Sequence, residues 1–306
     1  MPDDMPPASS PPPEPAAPGY EYTADYWAER APNCPQDRSH WEGHPLVQQA
    51  MAAYRGGATL VEYFAQHIPP GARHGVGLGV GLAAGELDLL RLGAVASFDL
   101  YDVTGALLAA VEQTASQEGL AERVRCHVAD TNTLRLAPAS CDVVTCFASL
   151  HHVERLEAVV EMVREALRPG GVLLAHEYVG PDRFAFPAEH VELARAIYRT
   201  LDPALRCPWP ELPVPNPTEV AAADPTEAVR SSEIVSVVRR YFPRTHVLSY
   251  DQCLTIILWY GLNYDALYDI PQGHDLVNWL LAVDRALVRS GQLSTYLVDI
   301  VAIKEG

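Results

Sequence analysis

The stretch GLGVGLAAGELDLLRLG, Gly77 to Gly93, interleaves glycine with small apolar residues and then turns into a run with helical period. It reads as a short Gly-rich strand, Gly75 to Gly79, feeding a helix over about Gly85 to Arg91. Where a strand enters a helix through bare backbone, a ligand can lie against the main chain and the helix N-terminus, as adenine dinucleotides and related adenosyl compounds do. The spacing Gly79-x-Gly81-x-Ala83 also suits close packing of helix on strand with no ligand. The surrounding chain has to decide between the two.

On the C-terminal side the pattern alternates. Strands are expected at Val95 to Tyr101, Val124 to Ala129, Val143 to Phe147 and Val172 to His176, with helices at Gly105 to Glu118 and Leu156 to Leu167 and a stop at Arg168-Pro169-Gly170-Gly171. Strands and helices of these lengths imply crossover connections and a parallel sheet covered on both faces. Residues 71–180 are therefore the core. Residues 181–235 break the rhythm with a helix, Pro187 to Thr200, and a Pro-rich run, the mark of an inserted helical cap. Residues 236–306 complete the sheet, with strands His246 to Ser249 and Thr295 to Ile303 and a helix at Leu276 to Arg289. Upstream, 20–70 reads as an N-terminal helical lid carrying Tyr22, Tyr26 and Trp27, and 1–19 as a disordered Pro-rich tail that cannot bury enough surface to offset its ordering entropy.

The 306 residues carry a formal net charge of −17, which argues against nucleic acid or an anionic membrane as partner, since both are bound through Lys and Arg. A small neutral or cationic ligand is compatible. No apolar run is long enough to span a bilayer and no signal-peptide order opens the chain, so a cytoplasmic location is expected. Six scattered cysteines without a C-x-x-C pair read as reduced core thiols. The oligomeric state is left open.

Two acids give the glycines a partner. Asp102 ends the second strand in FDLYDVT, where a carboxylate can accept both hydroxyl hydrogens of a ribose. Asp130 follows the third strand in HVADTN, where one can take the amino group of an adenine. Each alone could be a solvated loop residue or a helix N-cap. Set on successive strand ends beside the glycines, they describe an adenosine-shaped site at the switch point of a doubly wound sheet.

The order Gly79-Val80-Gly81-Leu82-Ala83, Asp102, Asp130, CDVVTCFASLHHVE and LRPGGVLLAHEYVGP resembles the class I S-adenosylmethionine-dependent methyltransferases. EYVGPDRF and DPTEAVRSSEI resemble a bacterial subgroup of that family. The resemblance implies a Rossmann-like, doubly wound, mostly parallel seven-stranded sheet with an antiparallel last strand. It implies S-adenosylmethionine as cofactor, with Gly79 and Gly81 at its methionine part, Asp102 at the ribose, Asp130 at the adenine, and Phe147 and Ala148 flanking the sulfonium. Val80 and Ala83 depart from the family's usual residues, and Gly75 and Gly77 are expected to loosen the first strand. A nicotinamide dehydrogenase is the rival on the glycines, but Asp130 and the late strand pair argue against it.

Candidates for the chemistry cluster after the fourth and fifth strands: His151, His152, His176, Glu177 and Tyr178. Of these, Tyr178, His152 and Glu177 are the expected catalytic set, although LHH recurs in the family whatever the substrate. The Tyr178 face could hold a sulfonium by cation–π attraction. Tyr22, Tyr26 and Trp27 would close from above, and Arg230 could receive a substrate carboxylate or pair internally with Asp224 or Glu227. His40 and His44 have the spacing of metal ligands but lack companions, so no metal is expected. The expected activity is methylation of a small molecule in secondary or envelope metabolism. The alternatives are cyclisation of S-adenosylmethionine to azetidine-2-carboxylate, releasing methylthioadenosine, and a non-catalytic cofactor-binding subunit.

Overall fold

A computed structural model describes Arg38 and residues 40–306. The tail and the aromatics Tyr22, Tyr26 and Trp27 lie outside the described residues. In chain order the elements are α1 (Pro45–Tyr54), α2 (Leu60–Ala65), β1 (His74–Leu78), α3 (Ala84–Arg91), β2 (Ser97–Asp102), α4 (Gly105–Gln117), β3 (Val124–Val128) and β4 (Cys141–Phe147). They continue as α5 (Leu156–Ala166), β5 (Leu167–Tyr178), α6 (Ala188–Thr200), α7 (Pro217–Ala223), α8 (Ile234–Tyr241), β6 (Arg244–Ser249), α9 (Leu254–Trp259), α10 (Tyr264–Asp269), α11 (Pro271–Arg289) and β7 (Leu297–Ile303).

Among the described residues seven strands form one sheet in the order β3-β2-β1-β4-β5-β7-β6. Pairing is parallel from β3 to β5, and β7 runs antiparallel between β5 and β6. The expected fold class is borne out, including the antiparallel late strand. The chain winds outward from β1 to β3 and then returns to β4, which places the switch point between β1 and β4, at the carboxyl ends of both strands.

Alternation along the strands sends side chains to two apolar layers. Val76, Leu78, Val144 and Cys146 join α5 and α8 on one face, while Phe98, Leu100, Val143 and Leu174 join α2, α3 and α4 on the other. Helix α5 (LEAVVEMVREA) buries Leu156, Val159, Val160, Val163 and Ala166, spaced as one helical stripe. Helix α2 is short but starts on a complete capping box between Thr59 and Glu62.

Gly75 and Gly77 do not loosen β1. A Cβ on Gly75 would stand 2.3 Å from the Phe98 ring, and one on Gly77 would stand 2.9 Å from Leu100 and 2.5 Å from Val80. Their bareness lets the large side chains of β2 lie across β1. The Arg168-Pro169-Gly170-Gly171 stop is likewise absorbed: it is an irregularity inside β5, where the register against β4 jumps between the Cys141 and Val143 pairs.

A third apolar cluster lies beyond the sheet. It joins α1, α6, α9, α10 and α11, three chain segments rather than the single insertion expected at 181–235. The short apolar runs of α9 and α10 had given no helical signal in sequence. The described part of the expected lid is also core: Met51 in α1 and Phe64 in α2 are at most 1% exposed. No helix among the described residues is long and apolar enough to cross a membrane. Cys126, Cys141, Cys146, Cys207 and Cys253 are free thiols, and burial pushes the pKa of each of them up.

Candidate functional site

A cavity of about 320 Å³ opens at the switch point, lined by Gly79, Gly81, Asp102, Asp130, Phe147 and Ala148, with Ser149, His152 and Thr226 on its far wall. All six residues assigned to the cofactor thus meet in one place. The far wall was legible only in His152.

The floor is built from the β1 turn. Gly79 (φ +61°) and Gly81 (φ +54°) both occupy the left-handed region. A Cβ at Gly79 would collide with Ser149 at 2.7 Å, so that glycine is needed for close approach of two chain segments. A Cβ at Gly81 would meet nothing within 4 Å, so its bare backbone faces open space. Ala83, where a third glycine is usual, also has a positive φ of 51°, a conformation costing an L-residue about 1–2 kcal/mol. The departure noted in sequence is thus a methyl forced into a glycine conformation.

Asp102 and Asp130 are 7% and 1% exposed. Asp102 spans the site's two loops: Oδ2 accepts from Gly81 N at 2.9 Å and Oδ1 from Thr104 N at 2.8 Å. Asp130 Oδ1 accepts from Asn132 N (2.8 Å) and Asn132 Nδ2 (3.1 Å), while its Oδ2 is buried with no hydrogen-bond partner among the described residues. An unsatisfied buried carboxylate oxygen is costly, and a donor arriving from the cavity would relieve it. An adenine amino group is such a donor, an open main chain at Gly81 suits a methionine moiety, and so the residues present fit an adenosyl ligand.

The far wall rests on Glu177. This carboxylate is fully buried; Oε1 accepts from the backbone N–H groups of Ser149 (2.8 Å) and Leu150 (2.7 Å), and Oε2 pairs with His151 Nδ1 at 2.8 Å. Glu177 therefore shapes the loop after β4 and does not reach the cavity, a correction to its expected catalytic role. Burial opposes charge on His151, but the Glu177 hydrogen bond and charge outweigh it and push its pKa up to about 9. For His152 burial and the neighbouring His151 charge both lower the pKa. Ala148, just before this turn, is held at φ +54°, strain of the kind that collects at functional sites.

Tyr178 is misplaced by the sequence reading. Its ring is 5% exposed, packs on Phe184 at 4.9 Å between centroids, and donates its hydroxyl to Pro181 O at 3.2 Å. A Cβ on Gly180 would stand 2.3 Å from that hydroxyl, so the EYVGP motif serves to fold the tyrosine back over glycine. Strand alternation points it away from the cavity into the third cluster. The internal pairing expected for Arg230 is corrected: it pairs with Glu157 and Glu233, at 2.6 and 2.8 Å, rather than with Asp224 or Glu227. His44 caps α1, accepting from Leu46 N and bonding Leu267 O, while the exposed His40 stacks on Trp41. His176 bonds Asp299 at 2.6 Å and Glu42 at 2.7 Å, inside the structure rather than at the cavity.

Sequence reasoning missed Ser149, Asn132, Thr226 and Glu227. Asn132 had a local signal, two residues after Asp130, where an Asx side chain turns the backbone. Thr226 and Glu227 come from the DPTEAVRS motif, quoted above only as a subgroup mark; their position depends on a loop returning from the cap.

Residues 74–175 match the family profile described as a methyltransferase domain. No curated protein sequence matches the chain. Among solved structures, the geranyl diphosphate C-methyltransferase of Streptomyces coelicolor A3(2), in complex with Mg2+, geranyl diphosphate and S-adenosyl-L-homocysteine, aligns with TM-score 0.56 and 13% identity over 96% of this chain and 100% of that one. A phosphoethanolamine N-methyltransferase of Haemonchus contortus, in complex with phosphomonomethylethanolamine and S-adenosylhomocysteine, aligns with TM-score 0.51 and 14% identity over 87% of this chain. The chain spans 58% of that enzyme's length. At these identities the likeness is one of fold.

Proposed function

We propose that the protein binds S-adenosylmethionine in this cavity and transfers its methyl group to a small molecule. The observation that carries the reading is the Asp130 carboxylate, buried at the rim with Oδ2 left without a partner among the described residues, in the cavity that the open backbone of Gly81 also lines. Bound there, S-adenosylmethionine supplies an electrophilic sulfonium methyl. The chain's own part is to hold and align: Asp102 presents the Gly81 loop, and Phe147 and Ala148 form the wall toward the acceptor. The neighbours named above hold small acceptors, geranyl diphosphate and phosphomonomethylethanolamine, which supports a small acceptor here without naming it. A role in secondary or envelope metabolism rests on the sequence subgroup.

Self-cyclisation to azetidine-2-carboxylate is the weaker reading. It calls for an aromatic enclosure around the cofactor and no general base placed for a second substrate. Tyr178 does not wall the cavity, and His152 does. Incubating the purified protein with S-adenosylmethionine alone separates the two. Methyl transfer leaves the cofactor intact until an acceptor is added and then yields S-adenosylhomocysteine; methylthioadenosine in the absence of acceptor overturns the proposal in favour of cyclisation. Failure to bind either S-adenosylmethionine or S-adenosylhomocysteine in calorimetry overturns both.

A further inference from the structure

On the far wall the turn Leu150–His152 and the loop after α7 bring two imidazoles and a carboxylate together. His151, His152 and Glu227 each offer one atom, and the three atoms lie within 4.8 Å of one another. His151 Nε2 is 3.8 Å from Glu227 Oε1 and His152 Nε2 is 3.9 Å from Oε2. These gaps are too long for hydrogen bonds. They are only slightly wider than the roughly 3.4 Å between two ligands of a tetrahedral ion with bonds near 2.0–2.1 Å.

The partners behind the rings fix which nitrogen faces the gap. Thr226 Oγ1 has one proton, and it is given to Asp224 Oδ1 at 2.7 Å, because an ionised carboxylate only accepts. Oγ1 must then accept from His152 Nδ1, 3.0 Å away, so His152 carries its proton on Nδ1 and a lone pair on Nε2. His151 gives its Nδ1 proton to Glu177 Oε2, which leaves its Nε2 on the Glu227 side. Glu177 cannot turn away, since its other oxygen is held by two backbone N–H groups. Each ring therefore has an oxygen behind it that sets tautomer and orientation, as metal-ligating histidines have. Three carboxylates, Glu177, Asp224 and Glu227, surround the pair, an excess of negative charge that a cation would balance.

We propose that His151, His152 and Glu227 form a binding site for a divalent d-block cation of the Zn2+ type, with an open coordination position turned to the cavity. Two imidazoles and one carboxylate suit Zn2+, Co2+ or Ni2+ and not Mg2+ or Ca2+, which take oxygen ligands. His152 and Thr226 line the same cavity as Ala148 and Ser149. The open position is therefore where an acceptor's oxygen or nitrogen binds, and the acceptor class it selects is an alcohol, phenol, carboxylate or amine. This last step rests on reading the cavity as the S-adenosylmethionine site.

The test uses the full chain, freed of metal by chelation and dialysis. Co2+ is titrated by visible absorption, Zn2+ by calorimetry, Mg2+ as control, and S-adenosylhomocysteine separately by calorimetry. One Co2+ per chain is expected, with the intense d–d bands of low coordination number, displaced by Zn2+ and unaffected by Mg2+. Glu227→Ala and His152→Ala each weaken Co2+ binding at least tenfold. Thr226→Val keeps all three ligands but removes the partner behind His152, and weakens binding roughly tenfold as loss of such partners does. Circular dichroism checks that each variant is folded. Absence of a stoichiometric Co2+ spectrum, or one unchanged in the folded Glu227→Ala and His152→Ala variants, overturns the ion site. If S-adenosylhomocysteine binds while Co2+ does not, the ion site falls alone and the cavity reading stands. If Co2+ binds and S-adenosylhomocysteine does not, the ion site stands and its role toward an acceptor is overturned.

Discussion

On the β3-β2-β1-β4 side of the sheet, Asp102 and Asp130 are spent on backbone and amide N–H groups, and one buried oxygen of Asp130, a residue that lines the cavity, has no partner among the described residues. On the β5-β7-β6 side, Asp299 is spent on cations. Its Oδ1 meets His176 at 2.6 Å, its Oδ2 meets Arg55 at 2.9 Å and also receives the Tyr250 hydroxyl, and His176 passes on to Glu42 at 2.7 Å. Both sets are buried, and both fall near the strand ends. The difference is where the charge goes. A carboxylate closed on His and Arg ties α1 and the turn Trp41–Gly43 to the sheet, whereas one satisfied by N–H groups on one side only is left with an unpaired oxygen, the one that the proposed function gives to the adenine.

The comparison breaks most visibly at Asp299. Asp299→Ala leaves Arg55 buried without its anion, and breaking a buried pair in this way costs about 3–5 kcal/mol. The expected outcome is a large fall in denaturation midpoint, with S-adenosylhomocysteine affinity retained in whatever remains folded. The network also has a pH window. Burial works against a charged His176, but Glu42 and Asp299 outweigh it and raise its pKa to about 10, so its contribution is complete below about 6.5 and fades as pH rises through 10. Burial likewise works against a charged Glu42, but His176 lowers its pKa to about 2, so its share is complete above about 4.5 and fades as pH falls through 2. Urea unfolding followed against pH should show the Asp299→Ala penalty greatest between about 4.5 and 6.5.

Glu86 belongs to neither set and sharpens the contrast. It is 2% exposed on α3, bonded by Thr145 at 2.7 Å, with no cation beside it among the described residues, and burial raises its pKa to about 7. In the unfolded chain it ionises near 4.5, in the folded protein only near 7. The folded state therefore binds the extra proton between those values, and stability falls as pH rises from 4.5 to 7, then levels off. The full penalty is of order 3 kcal/mol. Glu86→Gln should be close to neutral at pH 4.5 and stabilising at pH 8; a variant gaining nothing at pH 8 would refute the account.

What the sequence could and could not say divides along similar lines. That Gly79, Gly81, Asp102 and Asp130 meet at one cavity was legible because their places are set locally, by the turn after a strand or by a strand's end. The sheet was legible because apolar strands alternating with amphipathic helices admit few windings. Tyr178 and Arg230 were not, since their partners are chosen by tertiary packing: Tyr178 turns into a cluster completed by residues near 296, and Arg230 finds Glu157 in α5, 73 positions away. The pairing of His151 and His152 with Glu227 has the same distant origin, as does the joining of α9, α10 and α11 to α1 and α6 in one cluster.

At the rim the expected effect moves from stability to affinity. Asp130→Ala removes both the Asn132 bonds and the unpaired oxygen, and should weaken S-adenosylhomocysteine binding by about 1–3 kcal/mol, read by calorimetry. Stability should change less than in Asp299→Ala, because no buried cation is orphaned. Equal affinity in wild type and Asp130→Ala would dissolve the distinction between the two sets of carboxylates.

The smallest effect is expected at Ala83, where the rim's strain can be weighed directly. Replacing it by glycine relieves a left-handed conformation worth about 1–2 kcal/mol. Against this stand the loss of a methyl that is 1% exposed in the cluster of Leu87, Leu90 and Leu100, about 0.8 kcal/mol, and the added freedom of the unfolded chain, about 0.4–1 kcal/mol. The terms nearly cancel, so Ala83→Gly should shift stability by less than about 1 kcal/mol in either direction and leave S-adenosylhomocysteine affinity unchanged. That balance explains how the chain keeps alanine where glycine is usual: the methyl's packing offsets the strain it causes. A β-branched side chain at the same φ has the strain and no room to offset it. Ala83→Val should therefore be destabilised well beyond the glycine variant, and equal melting of the two would show that the turn is not held as described.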